Sequence, residues 1–302
     1  MNHRYKFGIR MYLPKINKQQ PKINKQQFLK SLCGWIQNKK CIPIIGAGAS
    51  ATWLPLADDV VKEWVIKFDY PENLPLSLSA ISQFIATSQG DNNYPKKLLS
   101  ERLRSLRNEV SSQADFGASI YGVLAKLELP IYITTNYDHL MEFALLPESK
   151  QPVSDFCRWN EELWKYAKYY DINSELYDSN FKPTAERPVV YHLHGDMDYP
   201  KSMVLTEDDL ISFMYTMTSE VDPRTFFGKN IYRQLLHTHL YLGYSLRDIN
   251  FRLILKFIPR GDERPSFAVM LLEKYTEPSL SEDKLVPYLE NYFKNIIEAY
   301  VF

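Results

Sequence analysis

Cys41-Ile-Pro-Ile-Ile-Gly46-Ala47-Gly48-Ala49-Ser50 sets a short apolar run directly against two glycines and three other small residues. An apolar run that ends in Gly-x-Gly reads as a buried strand of a parallel sheet turning sharply into a helix. Gly46 would permit the tight turn. Gly48 would let the backbone approach a diphosphate, whose charge the unpaired amides of the following helix would stabilise. Many such turns use glycine merely to bend, so the loop alone leaves both readings open. An ordinary dinucleotide-binding dehydrogenase competes here, with Ala51 as third small residue and Asp69 about twenty residues on. That reading needs a strand over residues 64–68. The apolar positions there continue the spacing of Val60 and Val61 on one helical face, which predicts a helix instead.

Outward from this loop the apolar runs stay short and alternate with helical stretches. Strands are expected at Ile42–Ile45, Ile131–Thr134, Val189–Leu193, Leu240–Leu242 and Phe267–Leu272. The expected fold is α/β, a Rossmann-like parallel sheet with helices on both faces and a helical insertion. Helical insertions are expected over about 70–128 and 138–187, the second rich in aromatics such as Trp159, Trp164, Tyr166, Tyr169 and Tyr170. Residues 1–40 read as a basic arm and first helix, and 41–302 as the domain that carries the sheet.

The chain has 302 residues, 45% of them hydrophobic, and a formal charge of zero, the composition of a globular protein. The first forty residues nevertheless hold ten Lys and Arg and no acid. Such an arm is either solvated, a contact between subunits, or a contact with nucleic acid. It includes a tandem copy, residues 14–20 and 21–27, too polar and too short to make a repeat fold. Cys33, Cys41 and Cys157 supply neither a disulfide framework nor a four-cysteine zinc site, and no metal is expected. No apolar run approaches bilayer length and the first residues lack a signal-peptide core, so the expected compartment is the cytoplasm, without membrane association.

In open parallel sheets ligands bind beyond the carboxyl ends of the strands, so the residues that follow each strand matter most. After Ile131–Thr134 comes Thr135-Asn136-Tyr137-Asp138. A neutral amide at Asn136 could hold water or a sugar hydroxyl without adding charge, or Asn136 or Asp138 could simply cap the next helix. Val189-Val-Tyr-His192-Leu-His194-Gly195-Asp196 puts two histidines on one strand face, with His194 at the end, the better placed as general base. Leu240-Tyr-Leu-Gly243-Tyr244-Ser245-Leu246-Arg247-Asp248 ends in small residues: Gly243 allows close approach, Ser245 could donate to a phosphate or ribose, and Asp248 could cap a helix.

Taken together, GAGAS at Gly46–Ser50, TTNYD at Thr134–Asp138, HGD at His194–Asp196 and GYSLRD at Gly243–Asp248 resemble the sirtuin-like family, and more narrowly its bacterial NAD hydrolases of antiphage defence. The resemblance spans residues 41–272, with the motifs in family order. It implies a Rossmann-like NAD-binding catalytic domain that cleaves NAD, as substrate, to nicotinamide and ADP-ribose. By resemblance Gly46, Ala47, Gly48 and Ser50 cradle the phosphates, Asn136 and Asp138 line the ribose pocket, His194 is the catalytic histidine, with Asn136 beside it, and Gly243 and Ser245 meet the adenosine side. Such an enzyme would deplete cellular NAD in abortive infection. It would be kept quiet until triggered and regulated by assembly, as a homo-oligomer or with a partner such as a HerA-like ATPase or an Argonaute protein. Two departures stand out. The four-cysteine module of protein-deacylating sirtuins is missing, and their Pro-Asp-Phe-Arg segment reads Pro55-Leu-Ala-Asp58 here. Hydrolysis, with water as acceptor, is therefore expected over deacylation; a non-catalytic NAD or ADP-ribose sensor is the other alternative.

Overall fold

The computed structural model describes residues 25–113, 116–160, 162–163, 182–219, 227, 229–244, 255, 258, 266–269 and 299–301. Its strands are β1 (Cys41–Ile45), β2 (Ile131–Thr134), β3 (Val153–Phe156), β4 (Val189–His192), β5 (Thr238–Leu242), β6 (Ser266–Val269) and β7 (Ala299–Val301). They form one sheet in the order β3-β4-β2-β1-β5-β6-β7, and every pairing is parallel. Pro43 lies within the central strand. The β1–β5 ladder runs the length of β1, whereas the ladder to β2 starts only at Ile44, after the residue that lacks an amide proton.

The helices are α1 (Lys25–Gln37), α2 (Ala57–Lys67), α3 (Leu78–Gln89), α4 (Tyr94–Gln113), α5 (Ile120–Ala125), α6 (Leu140–Leu145), α7 (Glu207–Thr218) and α8 (Lys229–Leu235). Because strand side chains alternate, β1 feeds two cores. Ile42 and Ile44 pack in one with Phe213 of α7 and Ile231 and Leu235 of α8. Cys41 and Ile45 pack in the other with Trp64 of α2, Ile81 of α3, Leu103 of α4 and Met141 of α6. Helices thus cover both faces of a Rossmann-like α/β sheet, as the short, doubly apolar strands predict. Trp64 lies on α2, so the strand required by the dehydrogenase reading does not exist.

Several expectations need correction. The glycine turn leads into a single 3₁₀ turn, Ala47–Ala49, and the next α-helix starts only at Ala57. The stretch 138–187, expected to be helices and loops, contains the edge strand β3, whose four residues pair with β4 alone and are too few to show a period. The part of that stretch bearing Trp164, Tyr166, Tyr169 and Tyr170 lies outside the described residues. β4 stops at His192, two residues short of His194, and the chain then turns.

β2 and β4 lie on one side of β1, β5 and β6 on the other. The crossovers therefore diverge at β1, and a crevice is expected between the carboxyl ends of β1 and β5. Gly243, just beyond β5, has φ +73, and a Cβ there would lie 2.5 Å from the Ala49 amide nitrogen. Substituting Gly243→Ala should combine left-handed strain with a backbone clash, costing about 2 kcal/mol or more of stability. Urea unfolding of the variant beside the parent chain would show it.

Candidate active site at the strand ends

The registers Ile45↔Leu242, Ile45↔Thr134 and Thr134↔His192 place the ends of β5, β1, β2 and β4 on one rung. Gly243, Gly46, Asn136 and His194 each follow that rung by one or two residues. The four motifs read from the sequence therefore meet along one edge of the sheet.

The glycine loop is packed backbone to backbone. A Cβ on Gly46 would sit 2.7 Å from the Tyr244 ring, and one on Gly48 would sit 2.9 Å from the Gly243 carbonyl oxygen. The room left by these glycines is thus filled by the end of β5, which corrects the expectation that Gly48 opens it to a diphosphate. The amides of Gly46, Gly48, Ala49 and Ser50 donate to the carbonyls of Leu242, Gly243, Gly46 and Ala47. Among the described residues no carbonyl takes the amides of Ala47, Ala51 or Thr52, all exposed. These are the backbone donors that the loop keeps available.

Ser50 does not belong to that set. Its Oγ donates to Asp138 Oδ2 (3.0 Å), lies 2.7 Å from the Tyr121 hydroxyl, and accepts from Asn136 Nδ2 (2.9 Å). A hydroxyl has one proton and two lone pairs, so all of Ser50 is spent inside the protein. The 3₁₀ turn, in place of a helix, directs it inward. The two protons of the Asn136 amide serve three acceptors, Ser50 Oγ, Gly46 O (3.2 Å) and Tyr121 Oη (3.2 Å), so one proton is shared, while its Oδ1 meets no donor among the described residues. Asp138 accepts from Leu140 N (3.0 Å), the first residue of α6, as well as from Ser50, while the N-cap position itself falls to His139, which makes no side-chain cap bond. Burial, the leading influence, raises the Asp138 pKa against these hydrogen bonds.

The two histidines of the β4 motif part company. His192, in the strand, faces α6: Nε2 lies 2.8 Å from Glu142 Oε1 and Nδ1 lies 3.1 Å from the Asn136 carbonyl oxygen. Both ring nitrogens face acceptors, so both carry protons. Burial opposes that charge, but the Glu142 carboxylate outweighs it and raises the His192 pKa well above the ordinary histidine range. His194 lies past the strand end, where the turn swings it to the other core, edge-on to Phe213 of α7 with ring centroids 5.1 Å apart. The expected shared face fails because β4 ends before His194. Burial pushes the His194 pKa down to about 4.

Asp196 accepts from His139 Nε2 (3.0 Å), and burial, which raises its pKa, is outweighed by the imidazole, which lowers it. His139, His192 and Asp196 offer ligand-type atoms within 4.8 Å of one another. A metal ion could be held there only by displacing hydrogen bonds, since Glu142 and Asp196 already face the imidazole nitrogens. Ser245, Arg247 and Asp248 lie outside the described residues. Tyr121, Glu142 and Tyr244 escaped the sequence reading. An acid inside the apolar run Leu140-Met-Glu-Phe-Ala-Leu145 was a usable signal for Glu142; Tyr121, on the remote α5, gave none.

A family model described as SIR2-like domain matches residues 130–295, more than half of the chain. The chain belongs to the SIR2-like family. Relatives of this SIR2-like chain include proteins named NAD(+) hydrolase ThsA. That of Enterococcus faecium is 31% identical over 152 residues, 49% of this chain and 27% of the relative. That of Bacillus cereus (strain MSX-D12) is 26% identical over 243 residues, 78% of this chain and 44% of the relative. The matched stretches thus span less than half the length of these relatives. The cysteines Cys33, Cys41 and Cys157 are free, and the last two are buried.

The His192–Glu142 pair makes a signed prediction. Its imidazole pKa is raised on folding, so its stabilisation is complete below the unfolded value of 6.5 and is lost as pH rises above it toward the raised pKa. Unfolding free energy should therefore fall with pH on the alkaline side, by at most about 1.4 kcal/mol per pH unit for one proton. Glu142→Gln removes the carboxylate that sustains the charge. It should flatten that slope and lower stability at neutral pH by about 3 kcal/mol. Denaturant titrations from pH 7 to about 9 would measure both effects.

Proposed function

We propose that this chain is an NAD hydrolase that releases nicotinamide and ADP-ribose. The observation that carries the proposal is the placement, at neighbouring strand ends of one sheet edge, of an asparagine whose amide oxygen has no donor among the described residues and of a histidine kept neutral by burial. Beside them lie a glycine loop with exposed residues whose amides meet no carbonyl among the described residues, and the point between β1 and β5 where the strand order reverses, the usual place of a dinucleotide in such sheets. The names carried by the relatives support the same activity.

The reaction asks for little acid catalysis. Nicotinamide leaves a cationic nucleotide as a neutral molecule when the C1′–N bond breaks, and the positive charge passes to an oxocarbenium-like sugar. Neutral groups at Asn136 and His194 add no charge that would repel this cation. Asn136 Oδ1 accepts a hydrogen bond from the attacking water. As that water's oxygen bonds to C1′ it becomes acidic, and His194, unprotonated across the neutral range, takes its proton. Ala47, Ala51 and Thr52 offer amides to the diphosphate, with Gly46 and Gly48 shaping the loop and Gly243 closing it on the adenosine side; Ser245 is assigned there by resemblance. Asp138 acts through Ser50 at the edge of the ribose pocket.

The biological reading follows from the chemistry. Uncontrolled cleavage of NAD would harm the host, which fits abortive antiphage defence in the cytoplasm, with activity released by homo-oligomer assembly or by a partner such as a HerA-like ATPase or an Argonaute protein. No helix among the described residues is long and apolar enough to cross a membrane. Deletion of residues 1–27 should weaken that assembly, as read by light scattering on a sizing column.

Incubation with NAD should release nicotinamide, and His194→Ala or Asn136→Ala should each slow release by roughly 10²–10⁴-fold. Full activity in both variants would refute the assignment. Because the base form of His194 is the working one, the rate should hold steady through neutral pH and fall only on approach to a pKa of about 4. A pH–rate profile of the parent chain tests this, with unfolding followed in parallel.

A further inference from the structure

We infer that Tyr121 is a positioning residue for the proposed hydrolysis: its hydroxyl, bridging Ser50 and Asn136, locks the Asn136 amide with its oxygen presented to the attacking water. The inference rests on the hydrolase reading and deepens it.

Hydrogen-bond polarity gives the lock one sense. The Gly46 carbonyl can only accept, so the end of Asn136 that meets it at 3.2 Å must be the NH₂. Ser50 donates its single proton to the Asp138 carboxylate, which leaves it two lone pairs. Tyr121 must then donate to Ser50 across 2.7 Å, and its own lone pair accepts from Asn136 Nδ2 at 3.2 Å. A flipped amide would set Asn136 Oδ1 against the Gly46 carbonyl and the lone pairs of Ser50 and Tyr121. Every partner therefore enforces the same orientation, and the oxygen is the end left over. Burial, the largest influence, pushes the Tyr121 hydroxyl well above its ordinary pKa, so it keeps the proton that it donates.

Tyr121 reaches this position from outside the four motifs. It lies on α5, 1% exposed, with its ring against Trp53 and Phe116 at centroid distances of 6.1 and 6.4 Å. Ring packing fixes the aromatic body and leaves the hydroxyl as the one polar tip facing the amide. Tyr121→Phe thus removes the lock while keeping the packing.

The test uses the full chain with NAD in water and in water containing methanol. In methanol the alcohol oxygen can bond to C1′ in place of water, giving methyl ADP-ribose; its proton goes to His194 and nicotinamide leaves. Wild type should favour water, because Asn136 holds it. Tyr121→Phe should lower kcat by about 10-fold, leave KM for NAD within about 2-fold, and raise the methyl ADP-ribose share. Ser50→Ala, which removes the acceptor that orients Tyr121, should shift the product ratio in the same direction and serves if the first variant fails to fold. An unchanged product ratio in the folded variants, or a loss confined to KM, would overturn the inference. Absence of nicotinamide release by wild type would instead overturn the hydrolase reading beneath it.

Discussion

The glycine loop after β1 lies backbone against backbone on the end of β5, with the Gly48 amide donating to the Gly243 carbonyl and Gly243 held at φ +73. Side chains at these positions would push the two strand ends apart, because each missing Cβ would fall on backbone atoms or on the Tyr244 ring. That approach determines where the 3₁₀ turn runs and therefore where Ser50 stands. Ser50 in turn gathers Asp138, Tyr121 and Asn136, and the carbonyl of Gly46 closes the remaining side of the Asn136 amide. The site is a consequence of two strands meeting without side chains between them.

Charge around the site is arranged in buried pairs. His192 with Glu142, His139 with Asp196, Arg158 with Asp155 and Lys96 with Asp209 each satisfy charge with opposite charge at hydrogen-bond distance. Pairs of this kind contribute less to net stability than to holding geometry, since desolvation offsets much of their attraction. Among the described residues His194, buried against Phe213, and Asp138, bonded to Ser50 and the Leu140 amide, are exceptions without an ionic partner. Two histidines separated by one residue are thereby driven in opposite directions, one held as a cation and the other as a neutral base. His192 also grips the Asn136 carbonyl, so the ionic scaffold and the proposed reacting residue are mechanically joined.

Part of this was legible in the order of residues. Short apolar runs separated by helical periodicity specify a parallel sheet covered on both faces, because strand length and burial on two sides leave their mark in local composition. Glycines and polar residues placed just beyond those runs mark the strand ends, and so Asn136 and His194 could be singled out. The helix over Ala57–Lys67 was readable from the spacing of Val60, Val61 and Trp64. β3 was not, since an edge strand of four residues, paired on one side, carries no period long enough to separate it from a loop.

By itself, then, the sequence determined the fold class and which strand ends carry the glycine, asparagine and histidine motifs, for both depend on local patterns of apolar and small residues. The tertiary structure alone decided that Ser50 faces inward, that the glycines pack on Gly243, that His192 and His194 have opposite surroundings, and that Tyr121 meets Asn136. Those outcomes depend on contacts between segments far apart in the chain, such as Ser50 with Tyr121 and Asp138. Hydrogen-bond polarity and desolvation act on atoms brought within about 3 Å of one another, and no pattern of neighbouring residues records such a distance.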